Sequence, residues 1–303
     1  MSDSGTQSSR IPRWSPDGGV YLVLMLQSLI ASGTHVVAKS VVRDVDPFTL
    51  TTIRSLIASI VIASVLIVGR RMPAIRREDY GRFFWLALIA IPINQFLFLY
   101  AMRYTTASNA ALLYATTPAI VLVLSRVFLG ERITARKVVG VALAFTGVIV
   151  VMFGRGVSAS MEYVYGNVIM FVAVLSWGFY TVFGRPLIVR YGAVETSSVT
   201  LLLGACIFAP IGIPPALRFA YGALTTADWM QILYLGIVTS VFSYWLWYYA
   251  LSCIEAGKAA LFANLQPVLT TILAVSLLGQ DLTVAFLVGG TITIAGVAVA
   301  QFG

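Results

Sequence analysis

Residues 100–130, YAMRYTTASNAALLYATTPAIVLVLSRVFLG, return 149 positions later as residues 249–279, YALSCIEAGKAALFANLQPVLTTILAVSLLG. Tyr100 and Ala101 fall on Tyr249 and Ala250, Ala110-Ala111-Leu112 on Ala259-Ala260-Leu261, Pro118 on Pro267, and Leu129-Gly130 on Leu278-Gly279. At the same offset the match extends without a gap from 85–154 to 234–303, pairing Thr134 with Thr283, Gly140 with Gly289, Gly147 with Gly296, and Phe153-Gly154 with Phe302-Gly303. The chain is therefore internally duplicated. What the duplicated segments are made of decides the fold class.

They are too apolar for water. Hydrophobic residues make up 59% of the 303 positions, charged residues 11%, and the mean hydropathy is +0.91, against 45 to 50% apolar content in ordinary soluble domains. A hydrocarbon core of about 30 Å needs roughly 20 apolar residues per helix. Runs of that kind predict ten spans near 20–41, 47–69, 81–102, 106–127, 134–154, 166–188, 194–215, 228–252, 256–278 and 282–302. The expectation is an all-α integral membrane protein with a polar cytoplasmic tail (1–19) and two five-helix repeats (20–154 and 166–303). The tail carries Arg10 and Arg13 but no small-residue cleavage site after the first apolar run, so that run reads as an uncleaved span.

Five is an odd number, so the second repeat must enter the membrane from the opposite side. The cations agree. With the N-terminus cytoplasmic, fourteen of the 20 Lys and Arg residues fall at inner ends and five (Lys39, Arg43, Arg103, Arg155, Arg218) at outer ends, the twentieth being Arg54 within the second span. This positive-inside bias places both termini in the cytoplasm, in a plasma membrane of bacterial inner-membrane type. The Glu131-Arg132 turn faces its counterpart Gln280-Asp281, which has no cation, as opposite compartments require. The net charge of +8 is then a matter of topology, and a nucleic-acid partner is not expected. Inverted repeats are common in secondary transporters, where substrate binds near the midplane between the halves.

The Ser176-Trp177-Gly178-Phe179-Tyr180 run in the sixth span, Pro47 with Arg54 in the second, and the Leu129-Gly130-Glu131-Arg132 turn followed by a helix carrying Gly140 and Gly147 together resemble the EamA-type drug/metabolite transporters over nearly the whole chain. The likeness is greatest to the YddG-type amino-acid exporters, which implies efflux of aromatic and other apolar amino acids. The first repeat departs from the pattern, with Ser32-Gly33 where the sixth span keeps Trp-Gly.

Polar side chains inside spans need a partner or a wet cavity. The candidates for a substrate cavity are His35, Asn94, Gln95, Tyr114, Tyr180, Ser243, Tyr244, Tyr248, Asn264 and Gln266, with Gln27 and Asn109 also at mid-span. Aligning Gly33 with Gly178 sets His35 opposite Tyr180, and the 149-residue repeat sets Asn94-Gln95 opposite Ser243-Tyr244. Interhelical hydrogen bonding is the competing use for each of them, and for the aromatic cluster of the eighth span an interfacial belt is the alternative. Pro118 and Pro267 remove backbone bonds at matched positions and are candidate hinges. Gly140-x-x-x-Ala144 and Gly289-x-x-x-Thr293 favour close helix contact, in a monomer or a homodimer. Arg54, about 10 Å inside its helix end, is expected to snorkel its guanidinium outward, with binding of a substrate carboxylate as the competing use.

No GxxxxGK[ST] loop, HExxH or GxSxG occurs, so neither an ATP-driven pump nor a membrane enzyme fits. No metal or cofactor is expected: Cys206 and Cys253 form no cluster, and their apolar surroundings predict buried structural thiols. His35 is the one embedded group that titrates near neutral pH, which predicts a uniporter or a weakly proton-linked exporter of small solutes. Export of drugs or organic cations, or carriage of phosphorylated or nucleotide-linked solutes, is the alternative reading.

Overall fold

A computed structural model describes residues 18–70, 73–130, 134–153, 161–279 and 284–302. Most of the polar tail and the repeat-matched residues Glu131-Arg132 and Gln280-Asp281 lie outside the described residues. All regular structure in the described residues is helical, and eight helices are long and apolar enough to cross a membrane. Exposed large apolar side chains such as Leu22, Val68, Trp85, Leu217 and Leu277 cover their outer faces, the reverse of a soluble surface and the proper solution in lipid.

The first two spans are α1 (Gly18–Val41) and α2 (Pro47–Val68). Asp46 starts α2 by accepting hydrogen bonds from the Phe48 and Thr49 amides, with Pro47 in the first turn, where its missing N–H costs nothing. The third span is α3 (Tyr80–Leu88), a π-helical segment Ile89–Gln95, and α4 (Phe96–Met102). The fourth divides into α5 (Ala107–Tyr114) and α6 (Thr117–Leu129), and α7 (Ala135–Phe153) comes next. The second half repeats this order: α8 (Met161–Tyr191), α9 (Ala193–Arg218), then α10 (Thr226–Leu233), a π-helical segment Tyr234–Ser243 and α11 (Tyr244–Cys253). The chain continues through α12 (Ala256–Ala260), a 3-10 turn Leu261–Leu265, α13 (Gln266–Leu278) and α14 (Val284–Phe302). Gly130 and Gly279 end α6 and α13 in the left-handed conformation, with φ of +70° and +61°, which a residue without Cβ adopts freely.

The halves interleave. α1 packs on α11, α13 and the second π segment, whereas α8 packs on α4, α6 and the first π segment. Each half therefore lends its first helix to the other, and the boundary between them runs through the middle of the molecule. α7 and α14 pair with one another. Neither cysteine is a buried thiol: Cys206 is exposed and Cys253 half-buried. In a bundle whose outer surface faces lipid, an apolar neighbourhood in sequence does not imply an interior position.

Candidate functional site

A cavity of about 70 Å³ lies where the halves meet. α1 contributes Gln27, Ala31, Thr34 and His35, and α2 contributes Arg54. Asn94 and Gln95 at the end of the first π segment come in beside Phe98 of α4 and Tyr114 of α5. From the second half come Trp177 of α8, Thr239 and Ser243 of the second π segment, Tyr244 of α11 and Gln266 of α13. The π segments account for the inward aim of Asn94, Gln95, Thr239 and Ser243: an i→i+5 turn widens the helix and re-aims its side chains, and such turns concentrate at functional sites. Pro92 opens the first one. In the second, the Ser240 hydroxyl donates to Leu235 O at 2.9 Å, five residues back.

Seven of the ten side chains expected at a cavity stand on this wall: His35, Asn94, Gln95, Tyr114, Ser243, Tyr244 and Gln266. Tyr180, Tyr248 and Asn264 do not. Tyr180 and Tyr248 stack on each other at 4.8 Å behind Trp177, where the Tyr248 hydroxyl donates to Tyr180 O. Asn264 lies in the 3-10 turn before α13 and faces a small void shared with Ala115, Gly140 and Gly296. Pro118 and Pro267 sit in the first turns of α6 and α13, just after the breaks in the fourth and ninth predicted spans.

The wall is polar where the halves cross and aromatic elsewhere. Asn94 Nδ2 donates to Ala173 O at 2.7 Å and to the Tyr114 hydroxyl at 3.2 Å, and its Oδ1 accepts from the Tyr244 hydroxyl at 3.4 Å. Gln27 Nε2 donates to Ser243 Oγ at 3.3 Å, and the hydroxyls of Thr34 and Thr239 are 2.8 Å apart. His35 packs against the rings of Phe98 and Tyr114 at 5.4 and 5.2 Å, and these two rings also meet each other. Trp177 meets Tyr244 edge-on at 5.3 Å. Both nitrogens of His35, Oε1 of Gln27 and Oε1 of Gln266 are buried without a hydrogen-bond partner, a rare condition in a folded interior.

Arg54 does not snorkel. It is 2% exposed, and its Nε and Nη2 donate to Ser240 Oγ at 3.1 and 2.9 Å. Depth from the helix end predicts an outward reach. The face of α2 that carries Arg54 is instead turned toward the second π segment, with the guanidinium inside the protein.

One end of the bundle is tied by ions. The Asp79 carboxylate, in the turn ahead of α3, accepts from Arg190 at 2.6 Å, from the Tyr191 hydroxyl at 2.7 Å and from Arg82 at 3.1 Å. This joins the start of the third span to the last turn of α8.

A family model described as the EamA-like transporter family matches the chain twice, over residues 19–153 and 164–301. The chain belongs to the EamA-like transporter family. This EamA protein is 27% identical over 284 residues to an uncharacterized transporter, YetK, of Bacillus subtilis, covering 93% of its own length and 86% of YetK. A probable terminal-alkyne amino-acid exporter of Streptantibioticus cattleyicolor is 28% identical over 194 residues, 64% of each chain. A crystal structure covering 94% of the EamA chain, and 96% covered in return, superposes with a TM-score of 0.73 at 21% identity, a likeness of fold. The protein is thus a multi-pass membrane transporter of the drug/metabolite superfamily.

Proposed function

We propose that this transporter exports small solutes, chiefly aromatic and other apolar amino acids, by alternating access around the central cavity. Its ten spans form two five-helix repeats of opposite topology, with both termini in the cytoplasm of a plasma membrane. The observation that carries the reading is the cavity itself: its wall is contributed by both halves, it is partly aromatic, and several of its buried polar atoms have no protein partner. Those atoms suit the polar head of a small amphiphile, while Phe98, Trp177 and Tyr244 suit its apolar body. The amino-acid exporter among the relatives lends further support.

At about 70 Å³ the cavity holds a few waters rather than a phenylalanine, so loading requires the halves to separate. Broken fourth and ninth spans supply the compliance for such rocking. Pro118 and Pro267 each come just after their break and are proposed hinges. Transport of phosphorylated solutes is disfavoured because Arg54 is the one permanently charged side chain on the wall.

Counterflow in proteoliposomes with a panel of radiolabelled amino acids tests the proposal. Saturable flux of phenylalanine and leucine is expected, at least tenfold lower in His35→Ala and Tyr244→Ala proteins. Movement of organic cations without any amino-acid flux would overturn it.

A further inference from the structure

Arg54 is the one permanently charged side chain on the cavity wall. A buried guanidinium in a membrane-spanning segment normally keeps an anion beside it, because a desolvated lone charge is strongly unfavourable. Here the guanidinium donates to the neutral Ser240 hydroxyl, whose own proton is already committed to Leu235 O. No carboxylate pairs with Arg54 among the described residues, and none lines the cavity. A guanidinium offers five N–H donors in a planar fork that matches a carboxylate. Ser240 occupies two of its nitrogens from one side. The charge is held open toward a cavity whose nearby acceptors, Gln27 Oε1 and Gln266 Oε1, are themselves unpartnered.

We propose that Arg54 is the anion subsite of this cavity, and that the transported class is the monocarboxylates with an apolar or aromatic body, the amino group being dispensable. The proposal rests on the exporter reading above and names the substrate group that its cavity selects. Counting charge shows why the amino group is not the feature selected. The wall alone carries +1 and stays at +1 with a zwitterionic amino acid bound. An amino-free carboxylate brings it to zero. An ammonium group finds no anion here, only amide oxygens and the rings of Trp177 and Tyr244, so a simple amine adds a second positive charge to a site already positive. Arg54 thus sets the sign of the substrate, while Phe98, Trp177 and Tyr244 set its body.

The test is scintillation-proximity binding to the full chain in nanodiscs, with three ligands that share a phenyl body: phenylalanine, 3-phenylpropionate and phenethylamine. Counterflow of the same compounds runs in parallel. The wild-type protein is expected to bind 3-phenylpropionate at least as tightly as phenylalanine and phenethylamine at least tenfold more weakly. Arg54→Gln is expected to weaken both carboxylates at least tenfold and to narrow the gap to phenethylamine, with Arg54→Lys in between. If Arg54→Gln protein keeps a cooperative thermal transition and binds the carboxylates within twofold of wild type, the anion subsite is wrong even though phenylalanine still crosses. If 3-phenylpropionate crosses in an Arg54-dependent way and phenylalanine does not, the subsite stands and the amino-acid reading falls. Should Arg54→Gln protein fail to purify, Ser240→Ala, which removes the oxygen that aims the guanidinium, is expected to weaken the carboxylates alone. An equal loss for all three ligands would overturn the proposal.

Discussion

Asn94 uses both ends of its amide across the boundary between the halves, Nδ2 on Ala173 O and Oδ1 on Tyr244, while Nδ2 also donates to Tyr114 of its own half. A buried hydrogen bond contributes about 0.5–1.5 kcal/mol, and leaving a buried group unpaired costs about 1–3 kcal/mol. Asn94→Leu strands the Tyr114 and Tyr244 hydroxyls, so a loss of about 1–3 kcal/mol is expected, seen as a lowered unfolding midpoint in detergent. Tyr114→Phe removes one bond and should cost no more than about 1.5 kcal/mol. Equal midpoints for Asn94→Leu and wild type would mean that the network carries no stability. The residue scale is partly legible in the sequence. Depth is readable, because an amide or imidazole at mid-span must face protein, and depth alone finds most of the cavity side chains. Rotation about the helix is not readable where every face is apolar. Sequence therefore assigns Tyr180 and Tyr248 to the cavity, although they stack behind Trp177. It likewise directs Arg54 outward, although Ser240 draws it in.

The duplication visible in the sequence has consequences at the level of elements. Shifted by 149, the left-handed Gly130 falls on the left-handed Gly279, and the π segment Ile89–Gln95 overlaps Tyr234–Ser243. Prolines mark the breaks between α5 and α6 and between α12 and α13. No residue type marks the second π segment, which has no proline and rests on a serine hydroxyl bonded to the chain. Two glycines mark the tightest helix pair. A Cβ on Gly147 would press on the Gly289 carbonyl and Thr293, and a Cβ on Gly296 would sit 2.6 Å from the Gly140 carbonyl and against the Ala144 amide. Gly147→Leu should force α7 and α14 apart and cost about 1–3 kcal/mol, the usual range for overpacking. Neither helix lines the cavity, so ligand affinity in the folded fraction should be unchanged. Affinity falling in step with the unfolding midpoint would show that the pair supports the site after all.

Over the whole molecule, the two ends of the bundle are tied by different chemistry. Ion pairs join the halves at one end, where Asp79 and Glu78 meet Arg190, and Lys137 meets Glu255 at 4.0 Å. The other end is joined by neutral hydrogen bonds from Thr105 and Asn109 to Asn167. The repeat partner of Asp79 is Asp228, and it has no such role: it caps α10 by accepting from the Thr225 amide and hydroxyl. Under the proposed topology the ionic end is cytoplasmic. The side chain of Asp79 is 1% exposed and that of Arg190 is 37% exposed, so the pair is worth less than a fully buried one, about 1–3 kcal/mol including the Tyr191 bond. A shift of that size changes a two-state population by about 5- to 150-fold. Asp79→Asn keeps the shape and removes the charge, so it should raise the population open to the cytoplasm. In a Cys206→Ala, Cys253→Ala background, a Thr34→Cys reporter on the cavity wall reads this directly. Labelling by an impermeant thiol reagent should accelerate severalfold from the cytoplasmic face on adding Asp79→Asn, and should not accelerate from the outer face. Unchanged labelling from the cytoplasmic face would mean that the ion cluster fastens two helices without gating the cavity.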